Sequence, residues 1–450
     1  MRRRFAPGLS GLKFFSLMPQ FRSKPLETFM NISQQFGDVV CFRGLWTSLM
    51  LTHPSDVEYV LQSNHKNYRK GKAYTDVLKL TTGNGLIVSE GEQWISQRRM
   101  SQPTFHRSRI ARFAETITDS TQAMLDQWQE RFEQNQPVEV GQEMLRLILT
   151  IVGKTLFSVD LSDEANIYGQ SYEIIRKYMV NRAYSLIKIP VWIPNRKNRQ
   201  FRRAVGKTDQ IVYQLIAERR RSESHHDDLL TMLIETRDEV TGTGMTDKQL
   251  RDEVASIIGA GYETTTRALT WTWYLLSKHP EVERQLQAEI NGVLGQRIPT
   301  FDDLPQLKYT LWVFLEAMRL YPPVWCFMRE AINDDEIGGF YVPKNAQILL
   351  FPYITHRHAQ FWENPEVFDP QRFSPEQAEI RDRYAYFPFG GGPRHCIGEN
   401  LATMEGQLIL ATVLQKYRLR LAEGCVVTPE PSVTLQPRSG VVMNLQKYVP

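Results

Sequence analysis

The chain has 450 residues, 42% hydrophobic and 23% charged, which is ordinary globular usage and excludes a disordered or fibrous protein. Its 54 Lys and Arg against 50 Asp and Glu leave a net charge of +4, a small excess for this length. The four cysteines, Cys41, Cys326, Cys396 and Cys425, are far apart with no CxxC pair, which argues against a disulfide framework or a structural zinc site and fits a reducing cytoplasm.

Residues 1–20 open with Arg2, Arg3 and Arg4 and read as a basic N-terminal arm, followed by a single domain over residues 21–450. The apolar stretch from Phe14 to Phe21 lies between Lys13 and Arg22 and is far too short for a membrane span, which needs about 20 apolar residues. Peripheral contact with an anionic membrane is the alternative reading of the arm. Charge is uneven: residues 1–110 carry 16 Lys and Arg against 7 Asp and Glu, while the remainder is net acidic. A basic region of that kind can steer an acidic partner. No recognisable nucleic-acid motif accompanies it, so nucleic acid is not expected.

Further along, Trp94-Ile95-Ser96-Gln97-Arg98 puts Trp94 and Arg98 one helical turn apart on one face, with Arg99 the more ambiguous neighbour. His225-His226-Asp227-Asp228 follows Arg219-Arg220-Arg221, and its acids suit a helix start better than a metal cluster. Apolar spacings of three and four predict helices from Asp227 to Glu235, Lys248 to Lys278 and Leu307 to Tyr321, with Thr241-Gly242-Thr243-Gly244 as a turn and Pro280 and Pro322-Pro323 as stops. Short strands are predicted at Phe340-Tyr341-Val342 and Ala346 to Tyr353. The class is mainly α with a small β portion (α+β). No internal repeat is visible.

The densest chemical signal is Phe389-Gly390-Gly391-Gly392-Pro393-Arg394-His395-Cys396-Ile397-Gly398. Its glycines permit close backbone approach to a flat ligand. Ile397, Leu401, Met404, Leu408 and Ala411 recur at helical spacing, which predicts Cys396 at a helix N-terminus, where free N–H groups favour a thiolate. A thiolate in a glycine loop beside Arg394 and Phe389 suits an axial haem ligand, with Arg394 able to meet a propionate. Within the Lys248 to Lys278 helix, Ala260-Gly261-Tyr262-Glu263-Thr264-Thr265 places a Thr hydroxyl in reach of the Ala260 carbonyl, with Gly261 leaving room beside the backbone. Glu316-Ala317-Met318-Arg319 sets an acid and a base on one helix face, and Arg372 follows in the proline-punctuated segment Pro365 to Phe373.

Taken in this order, these motifs resemble the cytochrome P450 family, from about Phe21 to the C-terminus. The resemblance implies that family's fold as one haem-binding domain, haem b (protoporphyrin IX iron) as cofactor and Cys396 as the thiolate and metal ligand, in a loop shaped by Phe389, Gly392 and Gly398. It assigns Glu263 and Thr264 to proton delivery beside Ala260 and Gly261, and Trp94, Arg98, Arg329 and Arg394 to the haem propionates. Glu316, Arg319 and Arg372 become a buried structural triad, and Ile257, Ile258, Ala260, Trp325, Phe327 and Leu435 become pocket walls. His356-x-His358 departs from the family, which usually has an acid at the second position. The implied activity is monooxygenation of a small apolar, lipid-like substrate such as a fatty acid, terpenoid, carotenoid or steroid, with dioxygen and two electrons. Only about Tyr417 to Pro450 follow the cysteine helix, too few for a flavin domain, so the electrons are expected from a separate ferredoxin or flavodoxin with its reductase. The expected protein is a cytoplasmic monomer. A peroxygenase or isomerase of this fold is expected to lack the Glu263-Thr264 pair, and a gas sensor would need an output domain.

Overall fold

A computed structural model describes residues 4–44, 46–162, 165–183, 185, 188–222, 226–237 and 242–448; Arg2, Arg3, His225 and Thr241 lie outside the described residues. The chain forms two compact units, one of Met1–Asp76 with Glu316–Cys396 and one of Val77–Leu315 with Ile397–Pro450.

The first unit is built on a six-stranded mixed sheet in the order Gly8–Ser10, Val39–Arg43, Thr47–Leu51, Gln347–Leu350, Phe327–Ala331, Tyr68–Lys70. The segment read as a basic arm supplies its edge strand: Gly8–Ser10 runs parallel to Val39–Arg43 with Gly8 opposite Cys41. Ala6 and Leu9 are buried in the two apolar clusters that cover this sheet, Ala6 in the one with Val39 and Cys41 and Leu9 in the one with Val40 and Phe42. The strand expected from Ala346 to Tyr353 covers only Gln347–Leu350, because Pro352 opens a short helix, Pro352–Thr355. Phe340–Val342 is a strand as expected, paired with Asp335–Ile337.

The last turn of the helix Lys308–Leu320 brings Glu316 and Arg319 together with no solvent access. Arg319 Nε and Nη2 donate to the two Glu316 carboxylate oxygens at 2.7 and 2.8 Å. Its remaining N–H groups donate to the carbonyls of His356 (2.8 Å), Pro365 (2.7 Å) and Val367 (3.0 Å). Every guanidinium donor is thus used, the condition under which a buried ion pair recovers its desolvation cost. Arg372 joins at 3.5 Å from Glu316, so the expected triad is present with Arg372 as its looser, partly exposed member. Leaving either Glu316 or Arg319 without the other would cost roughly 3–5 kcal/mol. His356 extends the network: its imidazole is buried, bonds the Arg319 carbonyl through Nδ1 and accepts the Phe387 N–H at Nε2, 3.0 Å away. Burial holds that ring well below its usual pKa, and Nε2 must be unprotonated to accept.

The second unit is helical and arranged around Asp247–Lys278, a 32-residue helix. Thr246 caps it in a reciprocal capping box with Gln249, which explains its start one residue before the predicted Lys248. Buried residues occur on all its sides, Val254, Ile258, Leu269, Trp271 and Trp273 among them, as befits a helix enclosed by Val140–Phe157, Arg196–Arg221 and Glu399–Leu414. The helix expected from Asp227 runs from Leu229 to Glu235 with Asp228 as its cap, accepting the Thr231 N–H at 2.9 Å, while Asp227 pairs with Arg109 and Arg112. Those acids therefore start a helix, and among the described residues no three His, Cys, Asp or Glu are grouped to hold a metal ion. Tyr417–Leu421, Val442–Lys447 and Val138–Glu139 form a small antiparallel sheet, and Pro429–Pro431 pairs with Leu435–Pro437 as a hairpin. Among the described residues no helix is long and apolar enough to cross a membrane.

Glu405, on Glu399–Leu414, is buried with Thr265 as its hydrogen-bonding neighbour and Oε1 without a partner. Burial pushes its carboxyl up to about 8. The native state then keeps a proton that the unfolded chain loses above its ordinary value of 4.5, so stability falls as pH rises from about 4.5 to about 8. Glu405→Gln, which keeps a partner for Thr265 and has no proton to lose, is expected to flatten that dependence and to be more stable than the parent at pH 8 by roughly 2–4 kcal/mol. Urea unfolding of both proteins at pH 5 and pH 8 checks this; parallel pH profiles would refute it.

Candidate functional site

In the first unit, the glycine loop is folded on itself and pressed against neighbouring backbone. The Cys396 N–H donates to the Phe389 carbonyl at 3.0 Å, and the His395 and Gly390 N–H groups donate to Gly392 and Phe387, each at 3.0 Å. Gly392 has φ of +64°, and a Cβ there would stand 1.8 Å from the Leu61 carbonyl oxygen. Only glycine permits both the conformation and the approach. Arg394 closes the single 3-10 turn Gly392–Arg394, and the Cys396 side chain is exposed beyond it. Through Phe387, the loop is tied by His356 to the Glu316–Arg319 pair.

Cys396 lies before the helix and not at its N-terminus, where the spacing of Ile397, Leu401 and Met404 had placed it. The helix begins at Glu399 with Gly398 as its N-cap, because the Cys396 N–H is committed to Phe389 and Gly398 is not in helical conformation. The dipole of that helix acts mainly within its own first turn, so it contributes less to a thiolate than expected. Arg329 lies on Phe327–Ala331, a strand that borders the loop through Phe327, whose ring is 3.6 Å from where a Cβ on Gly390 would be. The Arg329 side chain is largely buried, with Nη1 donating to the Met328 carbonyl at 3.0 Å.

In the second unit, Trp94 and Arg98 stand one turn apart on Gly91–Ser101 and share an open cleft with Ile95, Arg99, His106 and Arg109. On the long helix, Gly259, Ala260, Gly261 and Thr264 are accessible among buried neighbours, with Arg267 half-buried one turn further on. The Thr264 hydroxyl donates to the Ala260 carbonyl at 2.8 Å, as the spacing predicts. Glu263 turns a different way. One residue on a helix is about 100° of rotation, and the Glu263 carboxylate is buried, accepting the Thr434 hydroxyl hydrogen at 2.6 Å. Burial, with the Glu263 charge beside it, holds the Tyr172 phenol well above its usual range. Thr434 and Tyr172 were not found from the sequence, since they lie far from Glu263 along the chain and carry no motif. Ile258 and Leu435, expected as pocket walls, have no accessible surface and belong to the core; the Leu435 carbonyl accepts the Trp271 indole N–H at 3.0 Å. Trp325 and Phe327 are half-buried against the clusters on the sheet.

These residues fit a haem. An exposed thiol in a glycine loop suits a bond to the iron of a haem, and among the described residues no three His, Cys, Asp or Glu are grouped to hold a metal ion without a macrocycle. A side chain at Gly392 would run into the Leu61 carbonyl, so only glycine allows the loop its close approach to that backbone.

Comparison with known proteins agrees. The family profile described as Cytochrome P450 matches residues 6–444. The chain is 35% identical to cyclooctatin synthase of Streptomyces melanosporofaciens over 96% of its length and 94% of that protein. It is 37% identical to cyclooctat-9-en-7-ol 5-monooxygenase of the same organism, over 89% and 86% of the two chains, and 31% identical to pentalenene oxygenase of Streptomyces avermitilis, over 93% and 90%. The solved heme domain of cytochrome P450DA shares its fold, with a TM-score of 0.89 over 100% of this chain and 99% of the other at 24% identity. The chain belongs to the cytochrome P450 family and is a haem-dependent monooxygenase.

Proposed function

We propose that this monooxygenase oxygenates a cyclic terpenoid, with electrons delivered by a separate ferredoxin or flavodoxin and its reductase. The observation that carries the substrate reading is similarity, over nearly the full length, to enzymes named for cyclooctat-9-en-7-ol and pentalenene. The accessible strip on the long helix agrees with it, since Ala260 and Gly261 offer no polar side chain and Thr264 offers one hydroxyl. A ring hydrocarbon can lie there without burying an unmatched polar group.

The haem, when bound, supplies the activation of dioxygen. In this proposal Cys396 holds the iron as a thiolate, in a loop whose shape is set by Phe389, Gly392 and Gly398. Trp94, Arg98, Arg329 and Arg394 hold the two propionates by charge and N–H donation. Thr264 donates its hydroxyl hydrogen to the Ala260 carbonyl, which leaves the Oγ1 lone pairs to accept a hydrogen bond in the strip and to relay a proton when the Ala260 bond is exchanged. Glu263 replenishes that proton, and because Thr434 holds its carboxylate, delivery requires the carboxyl to exchange Thr434 for water or for Thr264. The basic Arg98, Arg99 and Arg109 cleft suits an acidic electron donor. The protein acts as a monomer in the cytoplasm.

Four measurements test these roles. The ferrous protein with carbon monoxide should show a Soret band shifted strongly to the red and absent in Cys396→Ala. Cyclic terpenes should displace the iron-bound water, seen as a spin-state change, and yield oxygenated product; a response confined to fatty acids or steroids would overturn the substrate reading. Thr264→Ala should leave substrate binding intact while product per electron consumed falls by about tenfold or more. Arg99→Glu should slow reduction by an acidic ferredoxin about threefold or more at low salt and weaken its salt dependence; an unchanged rate would exclude this docking surface.

A further inference from the structure

Two buried acids near the start of the long helix take no part in the chemistry described so far. Asp252 and Glu253 are 4% and 0% exposed, and both meet the connection between Lys72–Thr82 and Gly91–Ser101, within the second unit. Asp252 accepts the Asn84 N–H at 2.9 Å, and Glu253 accepts the Leu86 N–H at 3.2 Å. Two glycines let the connection come this close. Gly83 has φ of +55°, and a Cβ there would stand 2.0 Å from the Asp252 carboxylate; one on Gly85 would stand 2.1 Å from Ser256 Oγ and 2.2 Å from the Asp252 carbonyl oxygen. Nearby carbonyls take the N–H groups of Gly83, Gly85, Val88 and Ser89, and the two acids take those of Asn84 and Leu86. Arg251 and Lys248, each 3.0 Å from Asp252, balance its charge.

The same turn grips the next helix. The Asn84 carbonyl accepts from Gln93 Nε2 at 3.1 Å and from Gln97 Nε2 at 2.9 Å, two side chains one turn apart on Gly91–Ser101. Asn84 therefore joins both ties, its N–H to Asp252 and its carbonyl to the two glutamines. Trp94 follows Gln93, and Arg98 follows Gln97, by one residue, about 100° round that helix. Bonds at Gln93 and Gln97 fix the helix's rotation, and with it the direction of the Trp94 and Arg98 stripe. On the long helix, Ala260 and Thr264 lie seven and eleven residues beyond Glu253, within about 20° of the same line along its surface. The turn is thus anchored to the helix face that carries Thr264.

We propose that Asp252 and Glu253 are positioning residues for the haem: they hold the turn at residues 83–86 and through it set how Gly91–Ser101 presents Trp94 and Arg98 to the propionates. The inference rests on the assignment of Trp94 and Arg98 to the propionates and goes beyond it in naming what holds them. Glu253 bears the larger part, because it and Leu86 are both buried and water cannot replace their bond.

The test follows haem transfer from the ferric protein to excess apomyoglobin, together with the ferric–ferrous reduction potential; neither reading depends on turnover. Glu253→Met keeps the side-chain length and removes the acceptor, and should speed haem transfer about tenfold or more while moving the potential in the same direction as Arg98→Ala does. Glu253→Gln keeps an oxygen for the Leu86 N–H and should restore the transfer rate to within about twofold of the parent. Parent-like behaviour of Glu253→Met, faster transfer with an unmoved potential, or a Glu253→Gln protein no better than Glu253→Met would each overturn the proposal. If Arg98→Ala changes both readings and Glu253→Met changes neither, the propionate assignment stands and only the positioning role fails. If Arg98→Ala itself changes neither, the propionate assignment fails and the positioning role falls with it. A Glu253→Met protein that does not fold is replaced by Gln97→Met, which frees the helix from the turn with both acids in place; parent-like readings there would refute the proposal equally.

Discussion

The bidentate bond between Arg319 and Glu316 is the constraint on which the first unit's chemistry depends. Both groups are wholly buried, and the guanidinium donates to its acid and to three carbonyls at once, those of His356, Pro365 and Val367. Such a pair tolerates no drift, because any broken contact leaves a charge or a polar group without water to replace it. It therefore pins two distant segments, and His356 carries the constraint to Phe387 at the foot of the glycine loop. An imidazole serves as this link. It can donate on one side and accept on the other only while neutral, the state that its burial enforces.

A fixed foot is what the cysteine loop requires. The loop gains its shape from backbone bonds, from the Cys396 N–H to Phe389 above all, and from the absence of a side chain at Gly392. A thiolate at an exposed position is easily solvated or protonated. Holding its backbone rigid keeps the sulfur available to one partner from one direction. The same economy appears on the long helix, where Thr264 satisfies its hydroxyl on the preceding turn and leaves an otherwise apolar strip accessible. Glu263 is held out of that strip by Thr434, so its carboxylate and the Thr264 hydroxyl are separated. Separation of this kind keeps a buried polar group satisfied and away from the apolar strip.

Much of this was readable in the chain. The decapeptide around Cys396 is legible because its chemistry is local: glycines, an arginine and a thiol within ten residues. The Thr264 bond to Ala260 follows from helix periodicity, and Glu316 with Arg319 follows from a spacing of three. The helix start at Glu399 was misplaced because hydrophobic spacing continues through Ile397, while the hydrogen bond that holds Cys396 out of the helix comes from Phe389, in a part of the loop with no periodicity. The strand ending at Leu350 was overextended because apolar residues continue to Tyr353, although Pro352 already marks a turn into helix.

By itself, then, the sequence determined the residue types of the site, the family and the class of reaction, since each rests on side chains a few positions apart. Only the tertiary structure decided which way Glu263 faces, that Ile258 and Leu435 are core, that His356 links the ion pair to the loop, and that residues 8–10 complete a sheet. Each of these depends on a partner tens to hundreds of positions away, among them Thr434, Trp271, Phe387 and Cys41. Burial and hydrogen bonding between distant residues leave no periodic trace in the chain, because the energy that selects them comes from desolvation and packing that exist only once the fold has closed.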